Sequence, residues 1–157
     1  MQNREVYLTK EAFAHIRDTV GSFTPETGAI IGAHNFDPLT ISAVWYDQPA
    51  EKKRNYYRPS ALEIEQVVKE WAKQGIRFCG VIHSHRACFP EFSFLDQKSA
   101  IAIMEANALN SMVMGLYCSG SLKISIVSGC ETGYLWEPAF IHITNSLLDL
   151  DLSETLW

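Results

Sequence analysis

At 157 residues, with 47% apolar and 20% charged side chains, the chain has the make-up of one ordinary globular domain and not of a disordered or fibrous segment. Thirteen basic against eighteen acidic residues give a formal net charge of −5, which argues against a protein that lives on nucleic-acid phosphates. No run approaches the ~18 apolar residues of a membrane span, the start Met-Gln-Asn-Arg-Glu-Val lacks the apolar stretch of a signal peptide, and Cys79, Cys88, Cys118 and Cys130 show no Cys-x-x-Cys spacing, so we expect a cytoplasmic protein with reduced thiols and no membrane partner.

In chain order, Glu5 to Thr9 carries Val6 and Leu8 on one face and reads as a first strand. Thr9 is placed to cap a helix in which Phe13, Ile16 and Val20 recur at helical spacing, with Gly21 as a stop. A turn-rich link follows, in which Pro25 and Gly28 bracket Glu26 and set it at the entrance of the small apolar run Ala29 to Ala33. Asp37-Pro38 signals a turn, and the alternating Leu39, Ile41, Ala43 and Trp45 predict an antiparallel partner for that run. From Gln48 to Pro59 the chain turns polar and basic, which suits either a loop beside a binding surface or a solvated connector. Ser60 is placed to cap a second helix whose Ile64, Val67, Val68 and Trp71 form a buried stripe, and Gly75 ends it. Phe78 to Ile82 reads as a buried strand. Beyond a helix begun at Ser93, with Leu95, Ile101, Ala102, Met104 and Ala106 in its apolar pattern, Met112 to Cys118 and Leu122 to Ile126 alternate as a hairpin about Gly120-Ser121. Its methionines are core filling. Tyr134 and Trp136 continue a last strand to Pro138, and the tail from Leu147 to Trp157 mixes leucines with acids without declaring a structure.

The chemistry concentrates between His83 and Asp96. Side chains alternate faces along a strand, so His83 and His85 project from one face while Ser84 points away. Ser93 is a plausible N-cap with Asp96 at the third helical position, where the helix dipole favours the ionised carboxylate that a metal ligand needs. Alone, Ser-x-x-Asp is a capping-box variant and His-x-His an ordinary strand end. Together they supply two imidazoles and a carboxylate, three ligands that leave one of zinc's four tetrahedral positions open, as in a catalytic site.

With Glu26-Thr27-Gly28 upstream and His83-x-His85-x(7)-Ser93-x-x-Asp96 downstream, the chain resembles the JAMM (JAB/MPN) metalloprotease family, in its compact prokaryotic form, over roughly Val6 to Tyr134. The resemblance implies an α+β fold, a mixed β-sheet flanked by helices of JAB/MPN (cytidine deaminase-like) architecture, occupying residues 1–140 with a C-terminal extension at 141–157. It implies that His83, His85 and Asp96 hold Zn2+, that Glu26 is the general base, and that Ser93 supports the oxyanion. The implied substrate is a ubiquitin-like protein or its conjugate, cut at the C-terminus in precursor processing or deconjugation, with an extended tail adding to a sheet edge. Arg86 stands where the family often has proline, and Ala29 where it has a second glycine.

Two rival readings come from other classes. A catalytically silent MPN-type scaffold would bind a partner protein, but such a module has no chemical need for two histidines and an acid in this arrangement. A zinc deaminase would carry His-x-Glu and Pro-Cys-x-x-Cys, which this sequence lacks. Cys88, between His85 and Asp96, is either a packed loop thiol or a further ligand.

Overall fold

A computed structural model describes residues 4–22, 26–47, 61–85, 91–118 and 120–145. The polar loop with Ser60, the segment holding Arg86 and Cys88, and the leucine-rich tail from 146 onward lie outside the described residues. The first strand, β1 (Arg4–Thr9), runs into helix α1 (Lys10–Asp18), where the Thr9 hydroxyl accepts from the Ala12 N–H at 3.2 Å as the cap expected of it. A short 3-10 turn (Val20–Ser22) follows, then β2 (Gly28–Phe36), β3 (Leu39–Asp47), α2 (Ala61–Lys73), β4 (Arg77–Ser84), α3 (Phe94–Ala106), β5 (Ser111–Cys118), β6 (Ser121–Cys130) and β7 (Gly133–Thr144). Gly75 ends α2 with φ of +76°, a left-handed conformation that costs glycine little.

The strands lie in the order β1-β3-β2-β4-β5-β6-β7 and close on themselves through a parallel β1–β7 ladder that runs from Arg4↔Ala139 to Thr9↔Thr144. This corrects the expected fold class. The described residues form a closed seven-stranded barrel with three short helices, not a sheet flanked by helices of JAB/MPN type. The local hairpin signals agree with the pairing: β2 pairs antiparallel with β3, and β5 with β6. Closure depends instead on β7, which does not stop at Pro138 but continues through the boundary set at 140, and whose residues 139–144 meet a strand more than 130 positions away. The seam is shortest between β1 and β3, where the pairing covers Tyr7↔Thr40 and Leu8↔Ile41.

The barrel wall separates two cores. The inner one takes side chains from every strand, among them Val6, Leu8, Ala29, Ile31, Ile41, Ile82, Val113 and Ile124, and is completed by Ala12 and Ile16 of α1. The outer one lies between the sheet and helices α2 and α3, with Ile30, Val81, Met112, Met114 and Val127 facing Ala100 and Met104, and Ile64, Val67, Val68 and Trp71 packed alongside. Leu95, assigned to the apolar stripe of α3 by its spacing, is instead 67% exposed, as is Phe94 at 71%. No helix among the described residues is long and apolar enough to cross a membrane.

Candidate metal centre

Strand β4 sorts its side chains by the two-residue period. Val81 faces the outer core, and His83 and His85 continue that face toward the start of α3, whereas Ser84 turns inward and is buried. His85 lies just past the strand, yet its N–H donates to the Tyr117 carbonyl at 3.3 Å, so the β4–β5 pairing fixes its backbone. Asp96 comes from the other side. At the start of α3 the Ser93 hydroxyl accepts from the Asp96 N–H at 3.1 Å and the Asp96 carboxylate accepts from the Ser93 N–H at 2.7 Å, a reciprocal capping box.

These two supports bring the three groups together. His83 Nε2 lies 3.1 Å from His85 Nε2 and 3.2 Å from Asp96 Oδ1, and His85 Nε2 lies 2.9 Å from Asp96 Oδ2. Tetrahedral metal bonds of ~2.0–2.2 Å hold neighbouring donors roughly 3.3 Å apart; the two imidazoles are at about that spacing and each meets a different oxygen of the Asp96 carboxylate, with one ligand atom from each residue lying within 4.8 Å of the others. Each imidazole could instead donate a proton to the carboxylate, but the contact between the two Nε2 atoms then requires one of them to act as acceptor. A cation seated against all three satisfies the set without that conflict. Burial raises the Asp96 carboxyl, but the hydrogen bond and charge of His83, with the Ser93 backbone and hydroxyl, outweigh it and hold the group well below the usual carboxylate range. It is therefore an anion at neutral pH, as a ligand must be. Among the described residues, His83, His85 and Asp96 form a group that could bind a metal ion.

The surroundings are partly aromatic. The Phe92 ring lies 6.0 Å from that of His83 and 5.2 Å from that of Trp136 on β7, which ties the site to the outer core. Phe92 and Trp136 reach the site through contacts between separate elements, which no local sequence pattern marks. Cavities of about 600 Å³ at the opposite end of the barrel and about 470 Å³ between α2 and α3 do not include the three donors. The donor geometry, not cavity size, marks the site.

Glu26 is half-buried at the entrance of β2. Gly28 pairs with His83 in the antiparallel β2–β4 ladder, and the Ser84 N–H donates to the Thr27 carbonyl at 2.9 Å. Glu26 is the next residue, just beyond the last bond of that ladder. The structure thus brings His83, His85 and Asp96 together, with Ser93 joined to Asp96 by the capping box, and leaves Glu26 one residue before the Thr27–Ser84 pair.

No protein-family profile matches the chain, and no curated protein matches it. Among solved structures it is similar to protein DSY2949 from Desulfitobacterium hafniense, a structural genomics target determined in solution, with a TM-score of 0.67 and 18% identity over 90% of this chain and 94% of that one. Likeness at that identity speaks for the fold alone.

Proposed function

We propose that this protein is a zinc-dependent metallopeptidase or isopeptidase of the JAMM type, cleaving at the C-terminus of a ubiquitin-like protein or its conjugate. The observation that carries this reading is the convergence of two imidazoles and an ionised carboxylate, supplied by a strand end and a helix start, with the two Nε2 atoms 3.1 Å apart and each within 3.2 Å of one oxygen of the Asp96 carboxylate. The reading rests on these residues and their spacing, not on the barrel.

His83, His85 and Asp96 would hold the ion. When bound, zinc supplies Lewis acidity toward a carbonyl and lowers the pKa of water from 15.7 to about 7. Glu26, outside the ligand set, takes the proton of the attacking water on a carboxylate oxygen and hands it to the leaving amine, a role worth roughly 10²- to 10⁴-fold. The Ser93 hydroxyl accepts from the Asp96 N–H. Its own proton is left to donate toward the oxygen that gains charge as the amide carbon becomes tetrahedral.

The experiment compares wild type with Glu26→Gln for zinc content and for hydrolysis of a peptide ending in Gly-Gly amide-linked to a fluorophore. Glu26→Gln should keep its fold and one zinc while turnover falls by at least about 10²-fold. Undiminished turnover would remove Glu26 from the mechanism. A chain unable to take up zinc would instead favour a scaffold that only binds its partner.

A further inference from the structure

We infer that Ser84, the residue between the two histidines, is a positioning residue that holds the Glu26 end of β2 in register with the metal ligands; this rests on the function proposed above. In an antiparallel pair, residues that exchange hydrogen bonds do so twice, each N–H to the other's carbonyl. Thr27 and Ser84 occupy such a pair, but only half of it is regular. The Ser84 N–H donates to the Thr27 carbonyl at 2.9 Å, whereas the Thr27 N–H donates to the Ser84 hydroxyl at 3.0 Å. That hydroxyl is also 3.4 Å from the Thr27 carbonyl, to which it can donate. A side chain therefore replaces the last rung of the ladder.

The replacement sits at a decisive point. Beyond Ser84 the backbone is committed to β5, through the His85 N–H on the Tyr117 carbonyl, and the β2–β4 ladder ends. Both members of the pair are buried, Thr27 at 1% and Ser84 at 8% exposure. If the hydroxyl is removed, the Thr27 N–H has no water to turn to, and an unpaired buried donor is costly enough to open the strand entrance. Glu26 is the next residue. His83 and His85 stay fixed by β5, so the loss falls on the base and not on the ligands.

The test uses the full chain and zinc alone as the probe, following the Glu26 side-chain carboxyl carbon by NMR, the exchange of the Thr27 amide, and zinc affinity by chelator competition. In wild type, zinc should shift the Glu26 signal. In Ser84→Ala, the shift should fall below about half and Thr27 exchange should quicken by at least about tenfold, while zinc affinity stays within about threefold; Ser84→Thr should restore wild-type behaviour. If the alanine variant does not fold, Ser84→Cys, slightly larger than serine and a poor hydrogen-bond acceptor, replaces it. A Ser84→Ala chain whose Glu26 signal and Thr27 exchange match wild type overturns the inference alone, and so does a loss of zinc affinity beyond tenfold, which would place Ser84 behind the histidines. A wild-type Glu26 signal that ignores zinc removes Glu26 from the metal's neighbourhood, and with it both the base assignment and this inference.

Discussion

The two faces of β4 carry potential metal ligands of different kinds and treat them in opposite ways. On the inner face, Cys79 sits in the closed core with its thiol against the Ile31 carbonyl at 3.5 Å, and burial pushes its pKa up to about 12. It stays a neutral thiol, unable to serve as nucleophile or ligand. On the outer face, His83 and His85 are nearly as buried, but they meet an ionised carboxylate and not an aliphatic wall. Burial alone does not make a site. What separates the faces is whether a helix start delivers a counter-charge to the strand.

Breaking the outer face should give the largest effect. His83→Ala removes one of the three donor groups, and zinc affinity should fall on the order of 1,000-fold, about 4 kcal/mol, in a chelator competition. The metal-free fold should change far less, since His83 sits on the outer face of β4 against the Phe92 ring and not among the residues of the inner core. A variant that binds zinc as tightly as wild type would remove the histidine from the site.

The next effect belongs to the wall between the faces. A Cβ built on Gly80 would collide with the backbone carbonyl of Val113 across the parallel β4–β5 pair, and a backbone atom in a ladder cannot yield as a side chain does. Gly80→Ala should cost about 3 kcal/mol in a denaturant titration, at the upper end of what overpacking usually costs. Because β5 also anchors His85 through Tyr117, this variant should weaken zinc binding as well. That would distinguish it from a purely inner substitution. A chain with unchanged stability would show that the two strands can part at this point without consequence.

The contrast also explains how much was legible in the sequence. His83, His85, Ser93 and Asp96 could be read because each obeys a local period or a capping rule, and the two segments that carry them lie only a few residues apart. The helices and hairpins followed from similar local patterns, as with Thr9 at its cap and the β5–β6 pair. The barrel did not, because closure is a property of β1 meeting β7, and no residue in either strand announces a partner at the other end of the chain. Leu95 failed for a related reason. Its helical spacing suits burial, but the same turn must aim Asp96 at the histidines, and that orientation leaves Phe94 and Leu95 facing out. The aromatic neighbours Phe92 and Trp136, like the Thr27–Ser84 rung, come from contacts between separate elements.

The smallest effect is expected where the inner face already holds a polar group it does not need. Thr27 Oγ1 is buried with no hydrogen-bond partner among the described residues, although the backbone of Thr27 is fully engaged with Ser84. Valine has nearly the same shape, lacks the hydroxyl, and leaves both backbone bonds in place. Thr27→Val removes a desolvation cost without opening a cavity, so the thermal midpoint should hold or rise, by no more than about 1 kcal/mol in stability. The backbone rung is unchanged, so the response of Glu26 to zinc should be too. A loss above 1 kcal/mol would mean that the hydroxyl has a working partner, and that the inner face is wired to the site through more than Ser84. A neutral result would confine the polar link between the faces to the single side chain that lies between the histidines.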